Sequence, residues 1–120
     1  MRRPEVRDLY QPFTAETTRY ADRCVIAPAG ELDASMVPAL AAELEAAEAS
    51  DARRIIIDLS GVTFMDSSGL HLLLQAEARS RADSNRLRLI RGPSRVQKVF
   101  KLTQTEQLLP FLEEAEADSR

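Results

Sequence analysis

The stretch "RRIIIDLSGVTFMDSSGL", Arg53 to Leu70, contains the residues that decide the fold. Ile55, Ile56 and Ile57 run consecutively, so this segment carries apolar side chains on both faces. That is the pattern of a central strand covered by helices on at least one side. Ser60-Gly61 interrupts the run. "VTFM" follows, then the polar cluster Asp66-Ser67-Ser68-Gly69, and Leu70 opens a second periodic segment. Leu70, Leu73 and Leu74 form an apolar stripe and Gln75, Glu77, Arg79 and Arg81 a polar side, which predicts a helix from Leu70 to Ala82. Strand, polar connection and helix in that order are the start of a parallel α/β arrangement.

Working outward, Phe13 to Tyr20 and "RCVIAPA", Arg23 to Ala29, favour extended structure, with a hairpin through Ala21-Asp22. Pro28 places the end of the second segment near an edge or irregularity. Gly30 permits a turn. Asp33 and Ser35 are N-cap candidates for a helix carrying Val37, Leu40, Ala41 and Leu44 inward and fading near Ser50-Asp51. On the other side, Asp83-Ser84-Asn85 is a turn. "RLRLI" alternates as a strand over Arg86 to Arg91, and Gly92-Pro93-Ser94 leads into a third helix, with Ser94 as its cap and Val96, Val99 and Phe100 facing inward. "LLPFL", Leu108 to Leu112, reads as a last short strand or a docking loop. The expectation is a small mixed, mostly parallel sheet of four to five strands with helices packed against it. Residues 1–12 are read as a flexible N-terminal arm, 13–115 as one domain and 116–120 as a frayed tail.

The chain has 120 residues, 44% apolar and 29% charged, with a formal net charge of -3. That suits one domain with a real core and argues against nucleic acid as the direct partner. Only two of the basic residues are lysines, Lys98 and Lys101, and no basic cluster is interleaved with aromatics. Cys24 is the only cysteine, so it forms no internal disulfide and no cysteine-pair metal site; a buried, reduced thiol suits the cytoplasm. No apolar run approaches the ~20 residues of a membrane span, and the first residues lack the apolar core of a secretory signal. No metal-ligand spacing occurs and no cofactor is expected.

The Asp-Ser-Ser-Gly cluster has two readings. As a helix cap it is worth about 1 kcal/mol. As a modification site it offers a hydroxyl where unpaired N–H groups and the positive dipole end welcome a phosphate, after the carboxyl end of a strand. One helix start does not need two serines and an aspartate. A hydrolase built on Ser67 and His71 lacks an orienting third group and the glycines of a nucleophile elbow, so Ser67 is read as an acceptor and not as an agent. Phosphorylation would add about -1.5 to -2 of charge beside Asp66 and Asp33, enough to oppose an interface without refolding the chain.

"GELD" (Gly30 to Asp33), "IIIDLSGVTFMDSSGLHLLL" (Ile55 to Leu74) and "GPSRVQKVFKLT" (Gly92 to Thr103) together resemble the STAS domain of bacterial anti-sigma factor antagonists. The resemblance spans about residues 13 to 115. It implies a sheet with helices against it and a binding protein without catalysis of its own. It implies that Ser67 is phosphorylated by an anti-sigma factor with serine kinase activity, and that a serine phosphatase reverses this. It makes Asp33, Asp66, Ser68 and Gly69 part of the partner-binding face. The unphosphorylated chain would bind the anti-sigma factor and free a sigma factor, acting as a monomer or weak homodimer without nucleic acid or membrane. A constitutive scaffold or ligand-sensing module on the same fold is the alternative. The family often has glycine after "LT" following the third helix; Gln104 stands there, which places that turn in question.

Overall fold

The computed structural model describes residues 14–113. The arm expected at 1–12 and the tail expected at 116–120 lie outside them. The described chain is a five-stranded sheet with three α-helices. Strands β1 (Thr14–Arg19) and β2 (Arg23–Leu32) form the expected antiparallel hairpin, with Tyr20 donating its N–H to the Arg23 carbonyl across the turn. Helix α1 (Val37–Ala49), strand β3 (Arg54–Asp58), strand β4 (Gly61–Met65), helix α2 (Ser67–Asp83), strand β5 (Leu87–Ile90) and helix α3 (Ser94–Leu102) follow, then a 3₁₀ turn at Glu106–Leu108. The strand order is β1-β2-β3-β5, and β4 pairs β2 in parallel.

Strand β4 takes in the "VTFM" segment, to which the sequence assigns no element. Ala29 pairs Thr14 of β1 on one side and Gly61 on the other, while Cys24 pairs Arg19 of β1 and Ile55 of β3. Strands β3 and β4 therefore share the edge of β2 that faces away from β1, one after the other. Pro28 falls at the step between them, after the last β3 partner, Ile26, and before the first β4 partner, Ala29. A missing N–H is tolerated where the ladder is interrupted, so β2 runs on through the proline to Leu32. Gly30, expected in a turn, lies instead inside the strand at a register shift, with φ 102°. Only glycine takes that conformation without strain. Val62 pairs Gly30 and Phe64 pairs Glu31, which leaves Thr63 as the extra residue of a β-bulge.

The core lies between the sheet and the helices. Cys24 and Ile26, Ile55 and Ile57, and Leu87 and Leu89 meet Leu40 and Leu44 of α1, Leu73 and Ala76 of α2, and Val96 and Phe100 of α3. Val25 and Ile56 alternate to the opposite face and are also buried, as the uninterrupted isoleucines required. Cys24 is a buried free thiol. Glu77, placed on the polar side by periodicity, is buried with Oε1 unpartnered. Helix α1 has no basic residue in its last turn; Arg86 closes it from β5's approach, its guanidinium donating to the carbonyls of Glu48, Ser50 and Ala52 at 2.8, 3.0 and 2.8 Å.

Helix caps depart from expectation in two places. Met36, not Asp33 or Ser35, occupies the N-cap of α1; the Asp33 carboxylate instead accepts from the Ser35 N–H and hydroxyl, and its carbonyl accepts from Met36 and Val37. Pro93 stands at the N-cap of α3, so Ser94 is the first helical residue and caps nothing. Of the two expectations for "LLPFL", a short strand or a docking loop, a single parallel bridge, Leu89 to Phe111, forms after the 3₁₀ turn that takes in Leu108.

The end of α3 keeps its turn despite the missing glycine. Gln104 has φ 59°, its N–H bonds the Lys101 carbonyl, and Thr105 N–H bonds the Phe100 carbonyl at 2.9 Å. This is the paired-bond helix termination that normally recruits glycine. A left-handed non-glycine residue costs about 1–2 kcal/mol, and glycine's extra chain entropy returns about half of that. Gln104→Gly is therefore expected to stabilise the domain by about 0.5–1 kcal/mol in urea unfolding, with an unchanged denaturant slope.

Candidate functional site: the acidic strand ends and the start of helix α2

The site forms where β2 and β4 end side by side. Leu32 pairs Met65, and Asp66 N–H donates to the Leu32 carbonyl at 3.3 Å. Asp33 and Asp66 thus leave the carboxyl ends of two adjacent parallel strands, one strand spacing apart, about 4.8 Å. Thirty-two residues lie between these acids in the chain, and the parallel pairing of β2 with β4 brings them side by side.

Asp66 is the N-cap of α2. Its Oδ1 accepts from Ser68 N–H at 2.9 Å and Gly69 N–H at 3.4 Å, while its carbonyl accepts from Leu70 N–H. The helix therefore begins at Ser67, a turn earlier than the apolar stripe suggested. With Asp66 holding the cap, neither serine hydroxyl is needed for it. Ser67 is exposed in the first helical position and Ser68 is half-buried. The surplus polarity noted in the sequence is thus real: one acid caps and one hydroxyl is left on the surface.

Gly69 is buried and presents no side chain at the surface. A Cβ built there would stand 2.8 Å from Leu32 Cγ and 2.8 Å from Met65 Cγ, both in buried side chains. Glycine lets the first turn of α2 rest directly on the ends of β2 and β4, and that contact fixes where Ser67 emerges.

Phe64 is the residue at this site that sequence reading missed. It is 44% exposed, two residues before Asp66. The Thr63 bulge reverses the alternation, sending Met65 inward and Phe64 outward. An exposed aromatic beside polar groups is the composition of a contact surface more than of open solvent. His71 is exposed one turn along α2 and lines a groove of about 450 Å³ between α1 and α2 with Ser68, Gln75 and Arg79. Arg79 bridges that groove to Glu48 of α1 at 3.2 Å. Among the described residues, no three His, Cys, Asp or Glu side chains converge as a metal site would require, and no helix is long and apolar enough to cross a membrane.

A family model described as Mlab, STAS domain, matches residues 16–110, the strands, the cluster and all three helices. The chain belongs to the STAS domain family. Solved structures agree. An anti-sigma factor antagonist from Mycobacterium paratuberculosis superposes with a TM-score of 0.77 at 22% identity, covering 90% of this chain and 92% of that one, a likeness of fold. The anti-sigma factor antagonist SpoIIAA in its unphosphorylated form is 29% identical, with a TM-score of 0.69 over 91% of this chain and 95% of its own. The Bacillus cell fate determinant SpoIIAA in the phosphorylated form is 28% identical, with a TM-score of 0.64 over 91% and 98%. No curated protein matches the chain by sequence. The STAS domain described above thus has anti-sigma factor antagonists as its structural relatives, and one of them exists in phosphorylated and unphosphorylated forms.

Proposed function

We propose that this STAS domain is an anti-sigma factor antagonist that binds an anti-sigma factor with serine kinase activity, releases a sigma factor, and is switched off by phosphorylation of Ser67. The observation that carries the reading is the exposure of Ser67 at the first position of α2, freed from capping by Asp66 and flanked by Asp33 at the neighbouring strand end. The likeness to SpoIIAA in both forms supports it.

The physical logic is local. A phosphate at the first turn of α2 is accommodated by the helix terminus, so the fold has no reason to change. The charge adds to Asp66 and Asp33, and any partner surface seated on Ser67 loses a hydroxyl contact and meets new repulsion. A phosphatase that removes the group restores binding. Asp33, Asp66 and Ser68 form the polar part of the partner face, and Phe64 supplies apolar area beside it. The chemistry of transfer belongs to the partner kinase, so the domain works without a cofactor, in the cytoplasm where kinase and sigma factor meet.

Incubating the chain with ATP and an ATP-binding anti-sigma factor kinase of its own source tests the proposal. Mass spectrometry is expected to find one phosphate, on Ser67. Modification confined to Ser68, or none with any such kinase that binds the chain, would count against the switch and favour a constitutive scaffold.

A further inference from the structure

His71 is the chain's single histidine and lies four residues after Ser67 in α2, both exposed. Four residues turn an α-helix by about 400°, so the two side chains leave it within roughly 40° of each other, with Cβ atoms about 5–6 Å apart. The order is also the favourable one, with the anion toward the helix N-terminus and the base one turn later. The imidazole has no hydrogen-bond partner among the described residues. The charged groups around it are few. From α1, Glu45 and Glu48 line the same groove, and Glu48 is held by Arg79, which stands on His71's own helix two turns on. Asp33 and Asp66 stand at the strand ends beyond Ser67.

We infer that His71 is the charge partner of the phosphate on Ser67, a positioning residue that draws the phosphate back along α2. This rests on the reading that Ser67 carries a phosphate. An imidazolium one turn along α2 and a phosphate at the helix's first position form a pair of opposite charge at helical spacing. The competing possibility on the same residue is Glu45, which faces His71 from α1.

The test uses the full chain with phosphoserine encoded at position 67, so no kinase is needed. Phosphorus NMR follows the phosphate through a pH titration in the parent and in His71→Gln and His71→Lys. The expected result is a phosphate midpoint about 0.15–0.35 pH unit lower in the parent than in His71→Gln, the size of a helical ion pair. His71→Lys, with a fixed positive charge, is expected to keep the lowered midpoint. Equal midpoints in parent and His71→Gln would overturn the inference. That outcome would leave the proposed function standing. Conversely, a phosphorylated chain that still holds its anti-sigma factor would sink the function while leaving the pairing intact.

Discussion

Ser67→Asp is expected to lower affinity for the anti-sigma factor by at least about 30-fold, or ~2 kcal/mol, while circular dichroism and the unfolding midpoint stay native. The size follows from two losses at one position. A serine hydroxyl seated in an interface contributes about 0.5–1.5 kcal/mol as a hydrogen bond, and a carboxylate brought against a surface complementary to the acids already present adds desolvation and repulsion of similar size. The fold is spared because the first turn of α2 tolerates anions and Ser67 is exposed there. Ser67→Ala is the counterpart. It removes the acceptor but little else, so it is expected to bind within a few-fold of the parent and to stay bound in the presence of ATP. Isothermal titration calorimetry of the three proteins decides the matter. Equal affinity for parent and Ser67→Asp would leave a constitutive scaffold, and loss of the native spectrum in Ser67→Asp would make the serine structural.

Gly69→Ala is expected to destabilise the domain by about 2 kcal/mol and also to weaken partner binding. A methyl group there would meet the Cγ atoms of Leu32 and Met65 at 2.8 Å, inside real contact distance, and both side chains are nearly fully buried. Neither atom is the free end of a flexible chain, so relief requires moving the first turn of α2 off the strand ends. That movement carries Ser67 with it. The two effects separate in measurement: urea unfolding reads the strain, and calorimetry under conditions where the variant is fully folded reads the displacement of the site. Because the helix gains propensity from alanine by about 1 kcal/mol, a neutral or stabilised variant would mean that the contact yields easily and that Gly69 does not set the position of Ser67.

Some of this protein was legible in the residues alone. Three consecutive isoleucines require apolar neighbours on both faces, and that burial needs no knowledge of the partner elements. Leu40 and Leu44, Leu70 and Leu73, and Val96 and Phe100 repeat at helical spacing and are buried, while Leu74 and Val99 of the same stripes are partly buried and Leu72, outside them, is buried. The aspartate, serines and glycine before Leu70 announce a helix start, and the structure adds which of them is the cap. These features are local: period, propensity and capping act over a few residues, and one strand of letters contains them.

Other features arise only from pairing across the sheet. Strand β4 is short and unremarkable in sequence, and it becomes a strand because β2 extends past β3 and offers an open edge. The bulge at Thr63 then decides that Phe64 faces outward and Met65 inward, a choice that period-two alternation gets wrong by one residue. Glu77 shares the helical period of a polar face but is buried by its surroundings. The candidate site is divided the same way. Ser67 and Asp66 are recognisable from four adjacent letters and Asp33 from "GELD", whereas the distance between them is set by β2 and β4 running parallel and ending level. Sequence period fixes which side of an element is apolar, but register and pairing are non-local, and they alone determine which element ends come together at the surface.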